Sequence, residues 1–540
     1  MSISILVADS FHINKRNFAS FFKFIEKAKP KTIHFEDSHK DWLSLYGVYD
    51  KKLDKLYDKI DILSKLGYED LFDFKIYDIK LFPVCRSEIM TLTGTLPLWY
   101  DNPCPESQIE IFDKLFINNK NILLQNMAAA WYWLDFWKRR LMDLGSFTHC
   151  CIFSGGLIYQ KALIELLKYT PTKVMVMEGL FTGNEYYCEE RYSAIANNSD
   201  IKHFAVYQHY LNNLETGNEY DRERTKAINK VIATKNKNVE QPEHSPDLDF
   251  LDKDAPCVSI IGQVVNDFSV IEYHNTGLST IHFYKNAIVK LAEAGFNVVM
   301  KTHPWEEKKN NIKDSLTKNI LEEFINALPE DLQGRIRLVD HYSITKLFDQ
   351  SKWILGLNSQ GLIEAAFAGF KPVQFGNAFY GSKGFTHDYH IGQIDKFIDD
   401  IRNMRIENTM SLSEFDNFEK FLTILLQKHV VSVHDSGVTN LQKIFALPNV
   451  INLMSPAPVA KQNTQTSVSA NIEVKENTQP AESIIDTKNE KKASPPVIVT
   501  PNNTQKNRKL LKLKNNPRQF FADSKNPILR SLRIFFKHQI

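Results

Sequence analysis

Cysteine is scarce. Six residues in 540, Cys85, Cys104, Cys150, Cys151, Cys188 and Cys257, are too few for a disulfide framework, and they show neither a CxxC pair nor a Cys/His metal spacing. They read as reduced thiols of an intracellular protein, and no metal site is expected. Long apolar runs are missing as well. No stretch approaches the roughly 20 residues of a membrane-spanning helix, and the start, MSISILVADSFHINKRNF, lacks the basic and apolar regions of a signal peptide. The expected place of the protein is the cytoplasm. Metal-binding DxD patterns at strand ends are also lacking, since DLD at 247–249 sits in a polar connector. From Ala446 to Gln519 there is no Phe, Trp or Tyr, although the chain as a whole is 12% aromatic.

What is present is ordinary globular material, 43% hydrophobic and 24% charged, in a chain too long for one domain. The net charge of +2 hides an asymmetry. Residues 506–540 hold 10 Lys/Arg and one acid, a net of +9, which leaves 56 Lys/Arg against 63 Asp/Glu, or −7, for residues 1–505. A mildly acidic body argues against nucleic-acid binding. Residues 455–505, rich in Pro, Ser, Thr, Asn, Gln and Lys, are expected to form a disordered linker. Residues 506–540 mix cations with Phe520, Phe521, Ile528, Leu529, Leu532, Ile534, Phe535 and Phe536, the composition of a basic amphipathic tail suited to an anionic membrane surface. A partner-docking helix is the alternative for that tail.

The body alternates strand and helix signals twice. ISILVA (3–8), KTIHF (31–35), HCCIF (149–153) and KVMVME (173–178) read as strands of the first half, with a helical, aromatic insertion at about 40–145. A polar connector at 215–254 follows. CVSIIGQ (257–263), FNVVMK (296–301), RIRLV (335–339), WILGL (353–357) and KPVQF (371–375) are the strands of the second half. The expected fold is α/β, two Rossmann-like domains at 1–245 and 255–450 facing a cleft. Ligands of such sheets bind beyond the carboxyl ends of the strands, so the loops there are the places to look.

Three segments carry candidates. In LNSQGLIEAAFAGFKP the strand ends at Asn358, and Ser359, Gln360 and Gly361 open a helix whose N-terminus favours a phosphate, with Glu364 placed to meet a ribose hydroxyl. Taken singly, Ser359 is also an ordinary helix cap and Glu364 a solvated helix face. In MKTHPWE, Lys301 and His303 alternate along one face of a strand end and form a plausible phosphate clamp, although a strand-end His is commonly structural. In IIGQVVND, Gln263 and Asp267 follow the first strand of the second half, and Glu178 ends a strand of the first half opposite them.

These motifs, GQVVND, KTHP and NSQGLIEAAFAGFKPVQFGNAFYGSKGFTHD, resemble the capsule polysaccharide biosynthesis family of bacterial glycosyltransferases, which includes retaining transferases of 3-deoxy-manno-octulosonic acid (Kdo). The resemblance spans roughly 150–390 and implies the two-domain GT-B arrangement, a CMP-Kdo donor with no further cofactor, and Asp267 as nucleophile with Glu178 and His303 as other active-site groups. It also implies a glycolipid or polysaccharide acceptor, and the basic tail suggests a peripheral place on the inner face of the cytoplasmic membrane. Two other classes fit the same architecture: a nucleotide-sugar 2-epimerase and a non-catalytic polysaccharide-binding or export partner.

Overall fold

The strands form where β-branched and long apolar residues run together, and most of them are covered on both faces. In β5 (His149–Phe153), Cys150 and Ile152 point into one apolar cluster and Cys151 into another. The same two-residue alternation separates Leu6 from Ile5 and Val7 in β1 (Ser4–Val7), and Val174 and Val176 from Met175 and Met177 in β6 (Lys173–Gly179). The computed structural model describes residues 3–446 apart from 233–241, 243, 273–278, 309–311 and 313. The expected linker and basic tail lie outside the described residues.

The first sheet has the order β14-β7-β6-β5-β1-β2, with β2 at Thr32–Phe35, β7 at Glu185–Glu190 and β14 at Val431–Ser432. A separate hairpin, β3 (Lys75–Ile76) with β4 (Ile79–Lys80), belongs to the insertion. The second sheet, all parallel, has the order β10-β9-β8-β11-β12-β13. Its strands are β8 (Cys257–Ile261), β9 (Asn297–Lys301), β10 (Ile336–Val339), β11 (Trp353–Gly356), β12 (Val373–Gln374) and β13 (His387–Asp388). Each sheet reverses its direction of growth once, between β1 and β5 in the first and between β8 and β11 in the second. At such a point the loops from neighbouring strands diverge and leave a crevice.

Three features depart from the sequence reading. The polar connector contains a helix, Gly217–Ile232, in which only Ala227 is buried; its charged residues cover one face and its composition conceals the helix. Residues 431–432 do not stay with the second half, as the span 255–450 implied, but return to the first sheet as β14, antiparallel to β7. Strand β7, not read in the sequence, joins the mostly parallel first sheet antiparallel to β6.

The insertion is helical, as its sequence suggested. Its longest helix, Lys120–Leu144, buries Trp133 and Trp137 in a cluster that also takes in Ile354 and Leu362 of the second half. The insertion helix Leu81–Thr93 is buried almost along its whole length.

Candidate active site

Glu178 is the penultimate residue of β6 and is half-buried. Burial first, and then the negative charge of Asp267, push its carboxyl up to about 7, against a hydrogen bond with Ser154 and the attraction of Arg191. Asp267 belongs to the other sheet's first loop. The two carboxylates chosen from sequence, 89 positions apart, thus act on one another across the two halves. The turn that closes this side is tight: Ser154 and Gly155 both have positive φ, 56° and 83°. A Cβ on Gly156 would lie 2.7 Å from the Phe268 ring, so glycine lets the two loops touch.

Asp267 caps the short helix Phe268–Ile271, its Oδ1 accepting from the Ser269 N–H at 2.8 Å. Ser269 is the hub of this side. Its Oγ accepts from Gln263 Nε2 at 2.9 Å and its carbonyl from Asn358 Nδ2 at 2.9 Å. Three of the predicted residues, Glu178, Gln263 and Asn358, each keep one buried oxygen with no hydrogen-bond partner. Buried acceptors are normally satisfied, and oxygens that are not are places where donor groups of a ligand would be gained.

Lys301, at the end of β9, is buried and donates to the Asp340 carbonyl at 2.5 Å. Burial lowers its pKa to about 8 despite the attraction of Asp340 and Glu364, so it remains a cation at neutral pH. The structure therefore brings Lys301 and Glu364 within electrostatic reach, as the sequence reading required. Ser359 is buried and its Oγ accepts from the Gly361 N–H at 3.3 Å, which is the local capping role. The helix it opens, Gly361–Phe367, runs for seven residues, with exposed Gln360 at its cap position. So short a helix concentrates little dipole, and Lys301 is the stronger anion-attracting group. The His303 Nδ1 accepts from the Trp305 N–H at 3.2 Å.

Sequence reasoning passed over the groups that brace the site. The Leu81–Thr93 helix holds both flanks of Asp267. Asn266 donates to the Thr91 carbonyl at 2.7 Å, and Arg86 binds the Ile271 carbonyl at 3.0 Å and the Glu272 carboxylate at 2.9 Å. Lys161 adds a second cation to Glu272 at 2.8 Å, and Ser87 donates to the same carboxylate. These cations hold the Glu272 carboxyl at about 2 despite its burial. The same helix reaches the first sheet, where Glu88 accepts from the Ile158 N–H at 2.8 Å, just past the Ser154–Gly156 turn. A signal was available in sequence, since Arg86, Ser87 and Glu88 interrupt an otherwise apolar helix.

Compared with known proteins, residues 176–408 match the model of the capsule polysaccharide biosynthesis protein family, a segment that holds every residue chosen for the site. The chain is similar to KpsC of Thermosulfurimonas dismutans, described as a beta Kdo 2,4 transferase, at 15% identity over 51% of this chain and 79% of that one, TM-score 0.34. Its beta Kdo 2,7 transferase structure gives 15% identity over 56% and 84%, TM-score 0.33. The glycosyltransferase SnogD from Streptomyces nogalater gives 10% identity over 78% and 96%, TM-score 0.23. No curated protein matches the sequence. Residues 176–408, the stretch that carries Glu178, Asp267 and Lys301, are thus similar to the capsule polysaccharide biosynthesis protein family.

Proposed function

We propose that the protein is a glycosyltransferase of capsule or surface polysaccharide assembly, moving Kdo from CMP-Kdo onto a glycolipid or polysaccharide acceptor with retention. The observation that carries this reading is the pair Glu178 and Asp267, one carboxylate from each sheet, close enough for the charge of one to raise the other. Displacement at an anomeric carbon develops positive character on the sugar and negative charge on the departing phosphate. Asp267 attacks the anomeric carbon, and the nucleotide leaves with the electron pair of the broken bond. Lys301 receives the phosphate near Ser359 and Gly361, with Gln263, Asn358 and Gln360 along the donor and Glu364 toward its ribose. Glu178, near 7, exchanges protons with little driving force at neutral pH and serves as acid or base beside the reacting carbon.

Kdo as the sugar follows from the motif resemblance, and Asp267 as nucleophile does too. His303 stays in the proposed active site on the same ground. The basic tail would hold the catalytic body near acceptors at the inner membrane face. No helix among the described residues is long and apolar enough to cross a membrane. Incubating the protein with CMP-Kdo and a lipid-linked acceptor, with the anomeric configuration of the product read by NMR, tests the reading. Hydrolysis of UDP-GlcNAc or epimerised sugar in place of a transferred Kdo would overturn it.

A further inference from the structure

We propose that Asp9, His12 and His39 form a binding site for one divalent transition-metal ion, with Zn²⁺ the best match to their chemistry. The site does not depend on the transfer reading, since no step of the donor chemistry uses these residues.

The three residues meet because two neighbouring parallel strands, β1 and β2, release their loops side by side. Asp9 lies two residues past β1, and the loop turns back there, the Ile13 N–H bonding to the Asp9 carbonyl at 2.9 Å. His39 lies past β2, just before the short helical turn Lys40–Trp42 that begins the insertion. A bond from the Ser10 N–H to the Glu36 carbonyl at 3.2 Å ties the two loops together. The histidines stand 3 and 30 positions from the aspartate, which matches no short metal-binding motif, so the cluster exists only once the strands have paired.

The distances suit a shared ion. His12 Nδ1 lies 2.9 Å and His39 Nε2 3.1 Å from the same oxygen, Asp9 Oδ1, and one ligand atom from each residue falls within 4.8 Å of the others. Atoms each about 2.1 Å from one ion stand about 3.0–3.4 Å apart at right-angled to tetrahedral geometry, so small outward movements of the rings admit it. Two imidazoles and one carboxylate select zinc and its first-row neighbours over calcium or magnesium, which take oxygen ligands. The ligands are also held from behind. Gln160 Nε2 donates to Asp9 Oδ2 at 3.0 Å, and the Tyr159 hydroxyl donates to the same oxygen. The His12 ring stacks on Phe153 and the His39 ring on Tyr159, each at 4.6 Å between centroids. Ligands fixed in this way lose little freedom when an ion binds.

Charge points in the same direction. Asp9 is fully buried, and its partners are two imidazoles, a phenol, an amide and a backbone N–H, none of them a permanent cation. Among the described residues no lysine or arginine pairs with it. Buried carboxylates are normally matched by positive charge, which a divalent ion supplies. The His12 side chain, 27% exposed against 0% and 1% for Asp9 and His39, gives the ion a way in and leaves room on its solvent side for water as a further ligand. A second group, Glu307, Asp340 and His341, has similar spacing but lacks these features: Glu307 and His341 are exposed, and Asp340 is already paired with Lys318 at 2.7 Å.

The test uses the full chain, stripped with a chelator and titrated with ZnCl₂ alone by calorimetry. One equivalent should bind at this site, and Co²⁺ in its place should give the visible absorption of a site with nitrogen and oxygen ligands. His12→Gln, at the most exposed of the three, should weaken Zn²⁺ by at least about tenfold and leave the circular dichroism spectrum unchanged, while His341→Gln should keep the wild-type affinity within about twofold. In ¹⁵N NMR, Zn²⁺ should shift Nδ1 of His12 and Nε2 of His39. No binding by the wild-type chain, Zn²⁺ affinity that survives His12→Gln intact, or ring nitrogens of His12 and His39 indifferent to Zn²⁺ would each overturn the proposal and leave the three as a hydrogen-bonded cluster. Transfer activity does not enter these readouts, so the transfer reading and the metal site stand or fall separately.

Discussion

Glu178 titrates near 7 because it sits between burial and a neighbouring carboxylate, and this has a cost that depends on pH. A carboxyl raised from 4.5 to about 7 in the folded state favours the protonated form, so its contribution to stability is complete below pH 4.5 and is lost as pH rises through 7. The size is about 2–3 kcal/mol, given the partial exposure of the side chain. Glu178→Gln should therefore be more stable than wild type by about that amount at pH 8 and nearly equal to it at pH 4.5, by urea denaturation at the two pH values. A gap that does not change with pH would mean the shift is absent. Asp267→Asn should abolish transfer while nucleotide binding by calorimetry stays within about threefold, since a half-buried loop carboxylate contributes little to the core. Intact-mass measurement with donor alone should show a sugar adduct in wild type and none in the variant. Glu178, Lys301 and Asn358 were legible as polar residues at the ends of apolar strands, and Gln263 and Asp267 as polar residues of the loop just past one. Ser269, on which three of them converge, was not, because a serine inside a short helix carries no pattern of its own. The buried Asp9, two residues past the first strand, was missed as well; nothing local marks a carboxylate whose partners lie 30 and 150 positions away.

Among the elements, the Leu81–Thr93 helix has the largest part in holding the site. It ties Asn266 and Glu272 on either side of Asp267 and also caps the helix that begins at Ile158. Arg86→Met would leave Glu272 buried with one cation in place of two, and breaking such a buried pair costs about 3 kcal/mol or more. Transfer should fall further than nucleotide affinity, because the proposed nucleotide site is at the β9 and β11 loops while the brace sets the Asp267 loop. Equal losses in the two would argue against this division. Helices and strands with a buried apolar stripe were legible, since periodicity reports the face that leaves water. The Gly217–Ile232 helix was not, as it buries little beyond Ala227. β14 was not legible either: two residues that complete another sheet's edge have no periodicity to read.

For the whole molecule, each sheet has one switch point, and Glu178 and Asp267 come to one another from different sheets. The insertion, opaque in sequence beyond being helical and aromatic, proves to be the part that joins them. Deleting 506–540 should release the protein from anionic liposomes in a salt-sensitive manner and spare transfer to a short soluble acceptor, measured by co-sedimentation and product assay; equal sedimentation of full-length and truncated protein would remove the membrane role. The central claim is that Glu178 and Asp267, from different sheets, share one site. The measurement closest to it is the carboxyl titration of Glu178 by ¹³C NMR in wild type and in Asp267→Asn. The pair predicts a wild-type midpoint near 7 that falls when the charge at 267 is removed, yet stays above 4.5 because burial remains. A midpoint unmoved by the substitution would contradict it.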